Sequence, residues 1–274
     1  MQKLNEHSSI RQYLAIQEEY YQEMSYFLNE KLEANYSGMG DPLNRIVRYP
    51  VVFKGRWYDN NKYKYAFLLK KLYQLKCNSC SILDVGCGDG TLDYILMKEG
   101  FDVTASDYHD DEGSRQFSRV TGIPYVKFNL NADEGFPETY DVVICSEVLE
   151  HTHINLKNGI KKLLTACHKD SILIITLPNI YSINNLIRIC RGINIVEDFP
   201  DEIVMKDDIV LDLRQHKREC TKIDLLCAAS ANNLKLIEYG TCYTTTAFTH
   251  PYLAKIIPPP LRPHIYGIFS LNTV

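Results

Sequence analysis

The sequence predicts an α/β protein: a doubly wound, mostly parallel sheet with a helical extension ahead of it. Three observations carry this. From Ser81 to Pro178 short apolar runs alternate with helical patterns, and that rhythm builds a parallel sheet with helices on both faces. The stretch SILDVGCGDGTLDYIL, Ser81 to Leu96, packs three glycines into five residues between two apolar runs. Residues 5–34 carry a helical apolar stripe in an otherwise polar segment.

In the first segment the stripe is Leu14, Ile16, Tyr20, Met24, Phe27, Leu28 and Leu32. YSGMGDPLNR breaks it with turn-forming residues. A second helix is expected over 60–75, where Tyr63, Phe67, Leu68, Leu72 and Leu75 recur at helical spacing. Strands are expected at 81–86, 102–107, 125–130, 141–146 and 171–178, with helices near 90–98, 114–121 and 156–168. Residues 179–220 lose the rhythm and read as an insertion. A helix returns at TKIDLLCAASANN, with Thr221 as N-cap and Asp224 three residues on, the spacing of a capping box. Strands at 235–243 and 264–271 follow, separated by IIPPPLRP, which is incompatible with helix or central strand. The division expected is therefore 1–80 as a helical extension or lid and 81–274 as the main domain.

At 274 residues the chain suffices for one large core with an added subdomain. The formal net charge of −4 argues against a dedicated nucleic-acid or anionic-membrane binder. No apolar run approaches the roughly 20 residues that span a bilayer, and the first residues have no signal-peptide core, so the cytoplasm is expected. Cys87, Cys145 and Cys167 read as small core residues. Cys77 and Cys80 form a lone CxxC with no second pair at zinc spacing, and no metal is assigned to it.

Glycines at 86, 88 and 90 permit a tight turn and a close backbone approach to a ligand at the carboxyl edge of the sheet. Taken alone they fit a dinucleotide or an adenosyl ligand, or simply a tight turn. Asp84 and Asp89 separate these. Carboxylates there repel a pyrophosphate, which seeks backbone N–H groups, and suit a ligand with a cationic centre and an amino group. Asp107 ends the next strand, about 20 residues on, where an acid accepts two ribose hydroxyls.

LDVGCGDG (83–90), VTASD (103–107), FNLNADEGFP (128–137) and YDVVICSEVLEH (140–151) together resemble the class I S-adenosylmethionine-dependent methyltransferases, small-molecule or sugar-type members, in order and spacing. The resemblance runs from about Ser81 to Pro178. It implies a Rossmann-like, seven-stranded sheet whose last strand is antiparallel, and S-adenosyl-L-methionine as cofactor. It places Asp84, Gly86 and Gly88 along the methionine part, Asp107 on the ribose and Tyr108 on the adenine. Asn129 stands where many members have an aspartate near the adenine amino group, with Leu130 beside it. Ser146 and Glu147 end the fourth strand under the cofactor.

Methyl transfer needs nucleophile, methyl and sulfur held in line and water excluded. A hydroxyl or amine must also lose a proton, and histidines at the carboxyl end of the sheet are the candidates. His151 and His216 are taken as the catalytic pair, with His153 nearby. Glu147, Glu150 and His151 fall at i, i+3 and i+4 and would share one helical face. With His216 they would make four ligands for a divalent cation. That pattern resembles the metal-dependent small-RNA 3′-end methyltransferases and the ubiquinone-pathway O-methyltransferases. EVLEH also occurs in members without metal, so none is assigned.

The acceptor is expected to be a small molecule: a sugar, nucleotide-sugar or secondary-metabolite-type compound. No stable nucleic-acid or membrane partner is expected. RYPVVFKGRWY, residues 48–58, is expected over the cofactor mouth, its arginines toward an anionic acceptor and Trp57 or Tyr58 against the acceptor's ring. The alternatives are an RNA 3′-end 2′-O-methyltransferase, a nicotinamide-dependent oxidoreductase, and a non-catalytic relative. The acidity, the acidic glycine turn and the intact motifs count against each in turn.

Overall fold

The structure is a computed structural model. It describes residues 4–5, 7–36, 56–77, 79–108, 118–196, 216–242 and 257–271. Most of RYPVVFKGRWY and residues 197–215 of the insertion lie outside these.

The chain forms two compact units that part at Phe128 and Asn129. The first holds helices α1 (Ile10–Tyr36), α2 (Arg56–Gln74) and α3 (Thr91–Lys98), with strands β1 (Ser81–Val85), β2 (Asp102–Asp107) and β3 (Tyr125–Lys127). The second holds β4 (Tyr140–Ser146), α4 (Leu156–Leu163), β5 (Cys167–Pro178), α5 (Ile183–Cys190), α6 (Lys222–Ser230), β6 (Leu234–Cys242) and β7 (His264–Leu271). The seven strands run in the order β3-β2-β1-β4-β5-β7-β6. β1 pairs parallel with β2, and β2 with β3. β4 pairs parallel with β5, while β7 runs antiparallel to both β5 and β6. This is the predicted sheet, including its reversed last strand.

In the first unit, α1 starts where Ser9 and Gln12 satisfy each other's backbone: Ser9 N–H donates to Gln12 Oε1 at 2.7 Å, and Gln12 N–H to Ser9 Oγ at 3.4 Å. The helix therefore begins at Ile10 rather than at residue 5. Its buried face is Tyr13, Gln17, Tyr20, Tyr21 and Met24. Leu14 and Ile16 flank that face half-buried. α2 buries Leu68 and Leu72 as expected, and also Lys64, Tyr65, Ala66 and Leu69. Tyr20 and Tyr73 both donate to Glu99 just past α3, at 2.7 and 2.5 Å. Burial and the Glu99 charge hold both phenols well above their ordinary range.

β1 is buried on both faces, with Ile82 and Leu83 fully enclosed, as a strand covered by helices requires. β3 is shorter than predicted. Asn129 N–H donates to Asp133 Oδ2 at 2.7 Å and Asn131 N–H to Asn129 Oδ1 at 2.9 Å, so local Asx pairing takes the backbone off the ladder.

In the second unit, α4 is capped by Asn155, whose side chain accepts from Asn158 N–H. It stops at Leu163 rather than near 168, because β5 already begins at Cys167. The ladder between β4 and β5 is interrupted after Tyr140. There Ser171 Oγ donates to Tyr140 O at 2.6 Å and accepts from His168 N–H at 2.8 Å, so the polar HKDS segment is accommodated as an irregularity. The Thr221–Asp224 capping box of α6 is fully formed. The insertion contains α5, capped by Ser182. Among the described residues no helix is long and apolar enough to cross a membrane.

Candidate active site

In the first unit the glycine turn joins β1 to α3. Gly86, Gly88 and Gly90 have φ of 77°, 57° and 70°, a region costly for a residue with a Cβ. Gly86 and Cys87 both donate their N–H to Ser106 O, at 2.7 and 3.0 Å, which ties the turn to β2. Asp107 completes the tie. Its Oδ2 accepts from Gly88 N–H at 3.2 Å and its Oδ1 from Tyr108 N–H at 2.7 Å.

Behind this turn the unit gathers acids. Asp84, Asp93 and Asp107 are buried, and Asp89 is half-buried. Burial pushes Asp84 up to about 7, with Lys64 pulling it down and Asp107 pushing it up. Burial likewise lifts Asp89 to about 6, against the bonds it accepts from Thr91. Asp93 lies well above its ordinary value, through burial first and then the charge of Asp84. Such a floor rejects an anion and is relieved by a cation, so it fits a sulfonium ligand bearing an ammonium group. Sequence reasoning missed Asp93 and Lys64. The signal for Asp93 was a carboxylate between apolar neighbours in TLDYILM.

In the second unit β4 ends at Ser146, and Glu147 follows with φ of 58°. The chain then makes one 3₁₀ turn, Leu149–His151, instead of an α-helix. The expected i, i+3, i+4 face therefore does not form. Glu147 turns back onto the sheet: Thr176 Oγ1 donates to its Oε1 at 2.7 Å, and its Oε2 lies 2.6 Å from His264 Nδ1. His264 was not anticipated, because nothing in HIYGIFSL distinguishes it from any histidine opening a strand.

Glu150, His151 and His216 do come together, with one potential ligand atom from each lying within 4.8 Å of the others. Two contacts bring the insertion's end to the 3₁₀ turn: Lys217 N–H donates to Glu150 O at 2.8 Å, and Arg218 Nη2 to Thr152 O at 2.7 Å. The two imidazoles meet edge to face at 4.8 Å. His216 Nδ1 lies 3.2 Å from Glu219 Oε1, and His151 Nε2 lies 3.8 Å from Glu150 Oε1. Glu150 is fully buried. A carboxylate and two imidazoles at this spacing fit a divalent cation as well as a proton-accepting pair. His153 is exposed, and its N–H donates to Asn131 Oδ1.

Of the other predicted cofactor residues, Leu130 is buried, and Asn129 uses its Oδ1 within its own turn. Ser146 Oγ lies 2.9 Å from Thr176 Oγ1.

Residues 57–197 match the methyltransferase-domain family. The chain belongs to that family. Among curated proteins it resembles a ubiquinone biosynthesis O-methyltransferase of Photorhabdus laumondii, 41% identical over 75 residues, covering 26% of this chain and 31% of that protein. One from Rickettsia canadensis is 30% identical over 124 residues, covering 43% and 52%. The chain thus matches about a third to a half of the length of these relatives. Two solved structures share the fold. An S-adenosylmethionine-dependent methyltransferase from Clostridium acetobutylicum has a TM-score of 0.53 at 14% identity, covering 92% of this chain and 99% of the other. The Burkholderia thailandensis 1,6-didemethyltoxoflavin-N1-methyltransferase, solved with S-adenosylhomocysteine bound, has 0.52 at 13%, covering 92% and 90%. The fold is that of these two methyltransferases, and the family is that of the methyltransferase domain.

Proposed function

We propose that this chain moves a methyl group from S-adenosyl-L-methionine to a hydroxyl of a small molecule. The observation that carries the reading is the buried acidic floor under a left-handed glycine turn that is tied to Asp107. Bound there, the cofactor supplies an activated methyl. Asp84, Gly86 and Gly88 are proposed for its methionine end, Asp107 for the ribose diol and Tyr108 for the adenine. Asn129, Leu130, Ser146 and Glu147 are proposed contacts carried by the family pattern. For Asn129 the turn occupies the Oδ1, the backbone N–H and the backbone carbonyl, which favours its side-chain amide group for that contact.

His151 and His216 are proposed to meet the acceptor. Oxygen is favoured over nitrogen because the curated relatives are O-methyltransferases by name. By the same token a phenolic acceptor is favoured over a sugar or nucleotide-sugar. Residues 1–80 and 179–220 are proposed to select the acceptor, and a cytoplasmic setting is proposed with it. Calorimetry with S-adenosylmethionine, followed by mass spectrometry of products from catechol, tests the reading. Absence of cofactor binding rejects it.

A second reading is favoured by the cluster itself: Glu150, His151 and His216 would hold a divalent cation, which would supply Lewis-acid chemistry toward the acceptor hydroxyl.

A further inference from the structure

Glu147 is a non-glycine residue in left-handed backbone, a conformation that costs on the order of 1 kcal/mol and gathers at functional sites. Here the turn serves one visible end: it brings the Glu147 carboxylate back over β5 and β7. Three contacts hold it there. Its N–H donates to Thr176 O at 3.2 Å, Thr176 Oγ1 donates to its Oε1 at 2.7 Å, and Oε2 lies 2.6 Å from His264 Nδ1, an ion-pair contact whose angle falls short of a hydrogen bond's.

The hydrogens in this group have one consistent direction. Thr176 has a single hydroxyl proton and gives it to Glu147, so Ser146 must be the donor in its 2.9 Å contact with Thr176. Thr176 thus donates to one carboxylate oxygen, and the other lies so close to His264 Nδ1 that an ionised Glu147 favours a proton on that nitrogen. In the neutral ring the lone pair then sits on Nε2. The backbone around His264 is held as firmly. Asn179 is buried, and its Nδ2 donates to Pro260 O at 2.9 Å and Arg262 O at 2.8 Å, while its N–H donates to Pro263 O. His264 pairs with Pro178 at the end of β5, on the carboxyl edge of the parallel strands, where ligands of such sheets bind.

We propose that His264, positioned by Glu147, accepts the proton released when the acceptor hydroxyl is methylated. The role rests on the methyltransfer reading above. His151 and His216 then contact the acceptor, directly or through a cation, and His264 removes its proton. The oxygen–methyl bond forms as the methyl–sulfur bond breaks. Sulfur keeps that electron pair and becomes a neutral thioether. The hydroxyl proton passes to Nε2, leaving an imidazolium facing the Glu147 carboxylate.

Two measurements on the full chain test this. Long-range ¹H–¹⁵N spectra, assigned with His264→Gln, should show neutral His264 protonated at Nδ1. A neutral ring protonated at Nε2 overturns the proposal whatever the activity shows. In the second measurement S-adenosylmethionine and catechol are the substrates. His264→Gln should lower kcat about 100-fold or more, the usual share of a general base, with KM for both substrates within about threefold. Its rate should climb with hydroxide through the pH range where the wild type is level. Glu147→Gln should give a smaller loss of the same kind. Wild-type kcat and pH profile in His264→Gln overturn the proposal. If that variant does not fold, the Glu147→Gln profile decides in the same way. A wild type that transfers nothing to catechol counts against a phenolic acceptor instead, and the spectra alone then decide on the pair.

Discussion

Gly88 and Asp107, 19 residues apart in sequence, are joined by a hydrogen bond from the Gly88 N–H to Asp107 Oδ2 at 3.2 Å. The acid proposed to hold the ribose is therefore also the clasp that fixes the glycine turn against β2. One residue shapes the turn and is also the one proposed to meet the ligand.

Asp107→Ala removes both functions. Charge-assisted hydrogen bonds contribute about 1.5–3 kcal/mol each. Without the two hydrogen bonds to the ribose, S-adenosylmethionine affinity should fall on the order of 100-fold or more. The fold should lose about 3 kcal/mol from the two missing backbone bonds to Gly88 and Tyr108. Calorimetry and urea unfolding separate the two. Unchanged affinity removes Asp107 from the site.

Asp84 gives a pH signature. Its ordinary value is 3.8, and in the folded protein it is pushed up to about 7. Between those values the folded state binds more protons than the unfolded one. Stability from this group is thus present below 3.8 and lost as pH rises toward 7. Asp84→Asn should stabilise the ligand-free protein at pH 8 by on the order of 2 kcal/mol and have little effect at pH 4, while weakening cofactor binding. A destabilised variant at pH 8 contradicts the assignment.

The sheet was legible because its strands are apolar runs bounded by glycines and polar turns, and periodicity reports that directly. The capping box at Thr221 and Asp224 was legible for a similar reason: both partners lie within one turn of sequence. The site was legible only in part. Asp84, Gly86, Gly88 and Asp107 sit in a local pattern. Glu147 and His264 meet across β5 and β7, and no spacing rule spans that distance. The expected face of Glu147, Glu150 and His151 assumed an α-helix, whereas the left-handed backbone at Glu147 and the 3₁₀ turn after it divide the two glutamates between different partners.

Gly159 supports the turn that carries Glu150 and His151. A Cβ there would stand 2.7 Å from Leu149 Cδ2. Leu149 is fully buried at the head of the 3₁₀ turn, so any shift of its side chain must be taken up by the packing around it. Gly159→Ala should cost about 1–3 kcal/mol through overpacking, read as a lower urea midpoint with an unchanged slope. Wild-type stability would mean that the turn yields.

The cation reading makes the sharpest use of the geometry, because it treats two nearby glutamates differently. Glu150 offers its carboxylate to the cluster with His151 and His216, and Glu147 does not belong to that group. If a cation binds there, Mn²⁺ at 100 times its dissociation constant should stabilise the chelator-treated protein by about 2.7 kcal/mol. Glu150→Gln and His216→Ala should each abolish that gain, whereas Glu147→Gln should keep most of it. Metal affinity should also fall on acidification, since imidazoles bind metal only when neutral. Transfer to catechol should stop with chelator and return with Mg²⁺ or Mn²⁺. If exhaustive chelation leaves activity intact and Mn²⁺ gives no thermal shift, the cluster holds no cation, and His151 and His216 meet the acceptor directly.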